Sequence, residues 1–182
     1  YLLSSFNNND LAGSPILDLK RYMENVNLYY GFTISKQKTP EKLLAVKQAG
    51  AIEKLKYEQS SIMLKELIAF INKNQLKIVY PLQYQVVPFK TDSLQILVGY
   101  PVDKQIKTPD GIHYMSMPGG NALVGLYKGR YGLRDKLYDA MHLYMQDNHI
   151  NQLIKPYEKF PDNKLPGSDT AMVDMQVIVP CY

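Results

Sequence analysis

The chain has 182 residues, 46% of them hydrophobic and 21% charged, a composition that fits an ordinary globular fold with a substantial core. Its net charge of +4 comes from 21 basic residues with no dense block among them, so an electrostatic footprint for nucleic acid is weakly supported. A single cysteine, Cys181, excludes an internal disulfide.

Residues 1–13 are polar and Asn-rich and read as irregular. Ser14-Pro15 then opens a predicted helix, with Ser as N-cap and Pro at the first helical position, where its missing N–H costs nothing. Ile16, Leu19, Met23, Val26 and Tyr30 recur at helical spacing until Gly31 ends the pattern. This segment, 1–31, is a connector outside the main domain, which is expected over 32–182.

The main domain is written twice, over 32–102 and 112–181. Phe32-Thr33-Ile34-Ser35 is echoed by Ile112-His113-Tyr114-Met115, and Leu94–Val102 by Met175–Cys181. Aligning Gly50 with Gly129 sets Pro81 near Pro156 and Pro101 near Pro180. Each copy begins with two extended segments parted by Thr39-Pro40 or by Pro118-Gly119-Gly120, which predicts one long strand with a bulge or a sharp bend. A helix follows in each, marked by Met63, Leu67, Phe70 and Ile71 in the first copy. In the second its stripe is Leu133, Leu137, Ala140, Met141, Tyr144 and Met145. Residues 79–88 carry Pro81 and Pro88, which suits an edge or interrupted strand. Segments 94–100 and 172–179 are strongly β-like, and Thr108-Pro109-Asp110-Gly111 has the chemistry of a tight turn between the copies. The fold class is therefore α+β: duplicated β-α-β-β units forming an antiparallel-rich sheet with two helices on one face, plus an N-terminal helix.

Order and spacing of these features resemble the GyrI-like small-molecule-binding domain, the effector-binding module of several bacterial transcription regulators. The matching stretch is Met117-Pro118-Gly119-Gly120, Ala122 to Tyr127, Gly129, Tyr131, a helix with Leu137, Tyr138 and Tyr144, then Pro156 and Asp174 to Pro180. The resemblance spans about 31–182 and implies an aromatic-lined cleft between the halves. In multidrug-sensing members of that family a buried acid faces lipophilic cations, which aromatic faces attract and a carboxylate neutralises.

Alternation along the last strand puts Val173, Met175, Val177 and Val179 on the helix side. Met172, Asp174, Gln176 and Ile178 then face the expected cleft. Relatives often carry the acid where this chain has Gln176; Asp174 keeps that face one pleat away. Tyr127 and Tyr131 flank Gly129 at the strand-to-helix junction, and Tyr114 lies on the preceding strand. Aligning the two closing prolines sets Gln95 opposite Asp174, with Leu97 beside it. The candidate ligand-binding residues are thus Tyr127, Tyr131, Asp174, Gln176, Tyr114, Gln95 and Leu97.

No metal, phosphate-cradle or nucleophile motif accompanies them, and no cofactor is expected. The leading expectation is non-catalytic binding or sensing of a small apolar molecule, cationic where the acid faces it. Two alternatives stand: a hydrolase of lipophilic electrophiles using Asp174 and Tyr127, or a protein-binding inhibitor module. No DNA-reading helix pair is legible, so direct nucleic-acid binding is not expected of these residues. No apolar run approaches the ~20 residues that span a bilayer. The first residue is Tyr, so an upstream domain or anchor is conceivable; the cytoplasm is favoured unless such an anchor exists.

Overall fold

The computed structural model describes residues 9–91 and 93–182. Near its start, α1 (Asn9–Glu24) contains Pro15 within the helix, so the helix begins before Ser14 and residues 9–13 are not irregular. The expected irregular residues 1–8 lie outside the described residues. Asn25 breaks the helix and caps the short α2 (Val26–Tyr30) by accepting from Leu28 N, and Gly31, at φ 75°, ends it in the left-handed region. No helix among the described residues is long and apolar enough to cross a membrane.

The two copies follow as halves. Half one is β1 (Ile34–Thr39), β2 (Lys42–Ala51), α3 (Lys56–Lys73), β3 (Leu82–Lys90) and β4 (Ser93–Pro101). Half two is β5 (Ile112–Met117), β6 (Gly120–Arg130), α4 (Asp135–Asp147), β7 (Tyr157–Phe160) and β8 (Met172–Pro180). All eight strands join one antiparallel sheet in the order β1-β6-β8-β7-β3-β4-β2-β5. Exchanging each strand for its counterpart in the other half reverses that order without changing it, so a pseudo-twofold axis runs between β3 and β7.

The long bent strand expected from Pro40 and Pro118 is present twice. A single register runs from Ile34 opposite Gly125, through Thr39 opposite Gly120 and Lys42 opposite Met117, to Lys47 opposite Ile112. Each first strand thus lies on the other half's sheet. Where the bends pass, a Cβ on Gly119 would sit 2.7 Å from Glu41 N, which is why glycine stands there. The turn before β5 forms as expected, with Ile112 N donating to Pro109 O and Gly111 at φ 81°.

Strand β3 corrects a detail. It is interior, between β7 and β4, but β7 covers only Leu82–Tyr84, so the stretch holding Pro88 is an edge on that side. The missing proline donor therefore breaks no ladder bond to β7. The pairings also shift the alignment of the copies. Leu44 lies opposite Pro101 and Ala122 opposite Pro180, so Gly129 matches Ala51 and not Gly50. In a strand, one residue of shift turns every side chain to the other face.

The helices cover one face of the sheet. Met63, Leu67, Phe70 and Ile71 from α3 and Leu137, Met141 and Met145 from α4 are buried there. Against them lie Ala45, Ile96, Val98, Tyr100, Leu123, Met175, Val177 and Val179. Gly125 lets α4 lie close on β6, because a Cβ there would meet Met141 Sδ and Leu137. On the opposite face Ala122, Val124, Tyr157 and Ile178 form a second, smaller cluster.

Candidate functional site

The pseudo-twofold axis brings two unlike residues together. Gln83 lies opposite Gly99 and Tyr157 opposite Ile178, each two residues short of the closing proline's row, so Gln83 matches Tyr157 and Tyr84 matches Glu158. Tyr84 and Glu158 are also direct partners across β3 and β7. Both turn toward the helices, where each is almost fully buried.

Glu158 holds a network supplied by the 3-10 turn Tyr131–Leu133 and the first turn of α4 that follows it. Tyr131 in that turn, Arg134 at the N-cap of α4 and Tyr138 within α4 all direct their side chains to the same carboxylate. Tyr131 Oη donates to Glu158 Oε2 at 2.7 Å, Arg134 Nε to Oε1 at 2.7 Å, and Tyr138 Oη to Oε1 at 3.2 Å. The Arg134 guanidinium lies 4.0 Å from the centre of the Tyr131 ring. The wall continues in aromatic rings: Tyr57 meets Tyr131 edge-on at 6.2 Å, and Phe160 lies 6.5 Å from Tyr131 and 6.2 Å from Tyr84. Half one answers with a neutral arrangement, in which Tyr84 Oη and Ser60 Oγ are 2.8 Å apart.

Burial pushes the Glu158 carboxyl up from its ordinary range, against the pull of Arg134 and the two phenols. The same burial raises Tyr131 and Tyr138 well above the usual phenol value, with Glu158 adding to it, and Tyr84 to about 12. Despite its own partial burial, Arg134 is raised by Tyr131 and Glu158 and stays charged. Beside the network a recess of about 360 Å³ opens between Val86–Pro88, Arg134, Tyr138, Pro156 and Glu158. One further clamp crosses the seam: Asp169, in the loop before β8, accepts from Tyr57 and Lys56 of half one, while its carbonyl receives Gly132 N.

A second, more apolar cavity lies on the sheet face turned away from the helices, also at the seam. It measures about 280 Å³ and takes its walls from both halves, including Leu44, Leu97, Met115, Met117, Ile154 and Tyr157.

The residues expected from sequence are distributed between these places. Tyr131 is a ligand of the buried carboxylate. Leu97 lines the opposite-face cavity. Tyr127 is in the helix-side core and its hydroxyl donates to Arg130 O at 2.6 Å. Tyr114 packs half-buried and accepts from Ile106 N. Gln95 and Gln176 are half-buried on β4 and β8. Asp174 is exposed, its side chain at 74%, with Lys128 3.9 Å away. It lies on the face opposite Tyr127, so those two do not meet. The acid at the seam is Glu158, and sequence reasoning passed over it. Its signal was the spacing of Tyr131, Arg134 and Tyr138 through the turn into α4, together with Glu158 and Phe160 alternating in a strand of four. Among the described residues no cluster of His, Cys, Asp and Glu could hold a metal.

Comparison with solved structures places this architecture. The chain superposes on EcmrR in its DNA complex with a TM-score of 0.68 at 16% identity, covering 95% of this chain and 69% of that one. The isolated EcmrR C-terminal domain gives 0.62 at 16% identity, over 83% and 98%. A hydrolase from Listeria innocua gives 0.56 at 10% identity, over 82% and 92%. The fold is therefore that of the EcmrR C-terminal domain, and the longer match runs on into the N-terminal helical segment. No family model and no curated protein matches the sequence.

Proposed function

We propose that this chain is a GyrI-like effector-binding domain that takes apolar small molecules at the seam on the helix side, with delocalised cations as the preferred class. One observation carries the reading: the buried Glu158 carboxylate already holds a planar delocalised cation, the Arg134 guanidinium, against the face of Tyr131. A desolvated cation on an aromatic face gains about 2 kcal/mol, and a buried carboxylate needs a positive partner. An incoming lipophilic cation would take the place of Arg134, whose side chain borders the recess and is 18% exposed. The likeness to EcmrR supports a role as the sensing part of a regulator, with DNA contact supplied by another domain.

Titration with tetraphenylphosphonium tests this. Saturable binding is expected, weakened at least tenfold by Glu158→Gln and strengthened by Arg134→Met. Equal affinity in the wild type and Glu158→Gln removes the site. The carboxyl of Glu158 is raised by burial, so the affinity is expected to fall on acidification, beginning above the ordinary glutamate range, with no such dependence in Glu158→Gln.

A further inference from the structure

The cavity on the other face is chemically unlike the Glu158 site. Its walls are Leu44, Leu97, Met115, Met117 and Ile154 with the Tyr157 ring, and no carboxylate borders it, while Lys155 stands among its lining residues. A lipophilic cation has nothing to neutralise it there. Two glutamines, Gln83 and Gln85, project to this face from β3, and their situations differ. The amide of Gln85 donates to Pro156 O at 2.8 Å and to Lys155 O at 3.3 Å, fixing the segment that forms one lip of the cavity. Gln83 is 2% exposed, and its Nε2 has no hydrogen-bond partner.

Buried amide donors are almost always paired, and Gln83 Nε2, sealed within the cavity wall, is not; an occupant can satisfy it only when the amide is turned so that the donor faces the cavity. A lone water suits the space poorly, since it needs two to four polar partners. Gln85 is committed, and the Ser116 hydroxyl donates to Glu41. A half-turn of the terminal amide interchanges Nε2 and Oε1, so Gln83 can present its donor to an occupant. The volume, about 280 Å³, equals roughly nine waters at about 30 Å³ each, room for a molecule of about ten heavy atoms.

We propose that this cavity binds a medium-chain acyl compound: an apolar tail among Leu44, Leu97, Met115 and Met117, with its carbonyl or carboxylate oxygen received by Gln83. Gln85 and Lys155 border both this cavity and the recess beside Glu158. Gln83 and Leu97 border this one alone, and Arg134 and Glu158 only the other, so variants at those positions let each reading stand or fall separately.

The test uses three probes of matched size, octanoate, methyl heptanoate and nonane, followed by NMR of the Gln83 side-chain amide and by calorimetry. The acyl compounds are expected to bind saturably, shift that amide signal and lose at least tenfold affinity in Gln83→Leu. Leu97→Trp, which fills the space, should abolish binding, and tetraphenylphosphonium affinity should be the same in both variants as in the wild type. Binding of both acyl probes, or of the ester alone, supports the proposal and tells whether the head group is charged. Equal binding of nonane, unchanged affinity in a folded Gln83→Leu, absence of saturable acyl binding, or a ligand-free crystal with an ordered water on Gln83 overturns it.

Discussion

Half one and half two share strand order, helix placement and bend, yet they differ at the two places where the axis brings them together. On the helix side half one offers Tyr84, bonded to a serine, where half two offers Glu158, bonded to an arginine and two tyrosines. On the other face the matched pair is Gln83 and Tyr157. Symmetric backbone with asymmetric side chains creates a seam that is charged on one face and apolar on the other. The duplication supplies the frame, and departures from it supply the chemistry.

Removing the arginine should break that contrast most strongly. Arg134→Leu leaves a buried carboxylate without its cation and is expected to cost about 3–5 kcal/mol in denaturant unfolding. Adding Glu158→Gln should restore most of the loss, because the two residues act as one unit. Burial raises the folded-state value of Glu158, so its neutral form favours the fold in acid, and that contribution disappears as pH rises through the raised value. The Arg134→Leu deficit should therefore shrink on acidification.

A comparison of single hydroxyls sharpens the contrast. Tyr131→Phe removes a bond to a charged acceptor and should cost about 1.5–3 kcal/mol, whereas Tyr84→Phe removes a neutral one worth about 0.5–1.5 kcal/mol. Equal losses in thermal melts would mean that the two halves are energetically alike at the axis. The smallest effect belongs to Asp169, an exposed carboxylate held below its ordinary range chiefly by the Tyr57 hydroxyl and by Lys56. Its contribution is present above the ordinary aspartate range and is lost as pH falls through the depressed value. The melting difference between wild type and Asp169→Asn should close toward low pH.

Much of the frame was legible because it repeats long, regular patterns. The alternation of Val173, Met175, Val177 and Val179 identified the helix-side face of β8, and Pro40 and Pro118 marked the two bends. Alternation tells which face a side chain takes but says nothing of depth along the strand. Asp174 sits near the open start of β8, beside Lys128, so the acid with the clearest pattern is solvated. Glu158 stands in a strand of four, too short to show a period, and its partners come from a helix 20 to 27 residues earlier. The glycine alignment failed for a related reason: glycines mark turns and close approaches, which need not fall at the same pleat in both copies.

The exchanged first strands have a consequence for the integrity of the molecule. Because β1 lies on β6 and β5 on β2, neither copy completes its own sheet from its own residues. Cutting the link between Asp103 and Gly111 would divide the polypeptide without parting the pieces, and each fragment made alone would have an open seat shaped for the other.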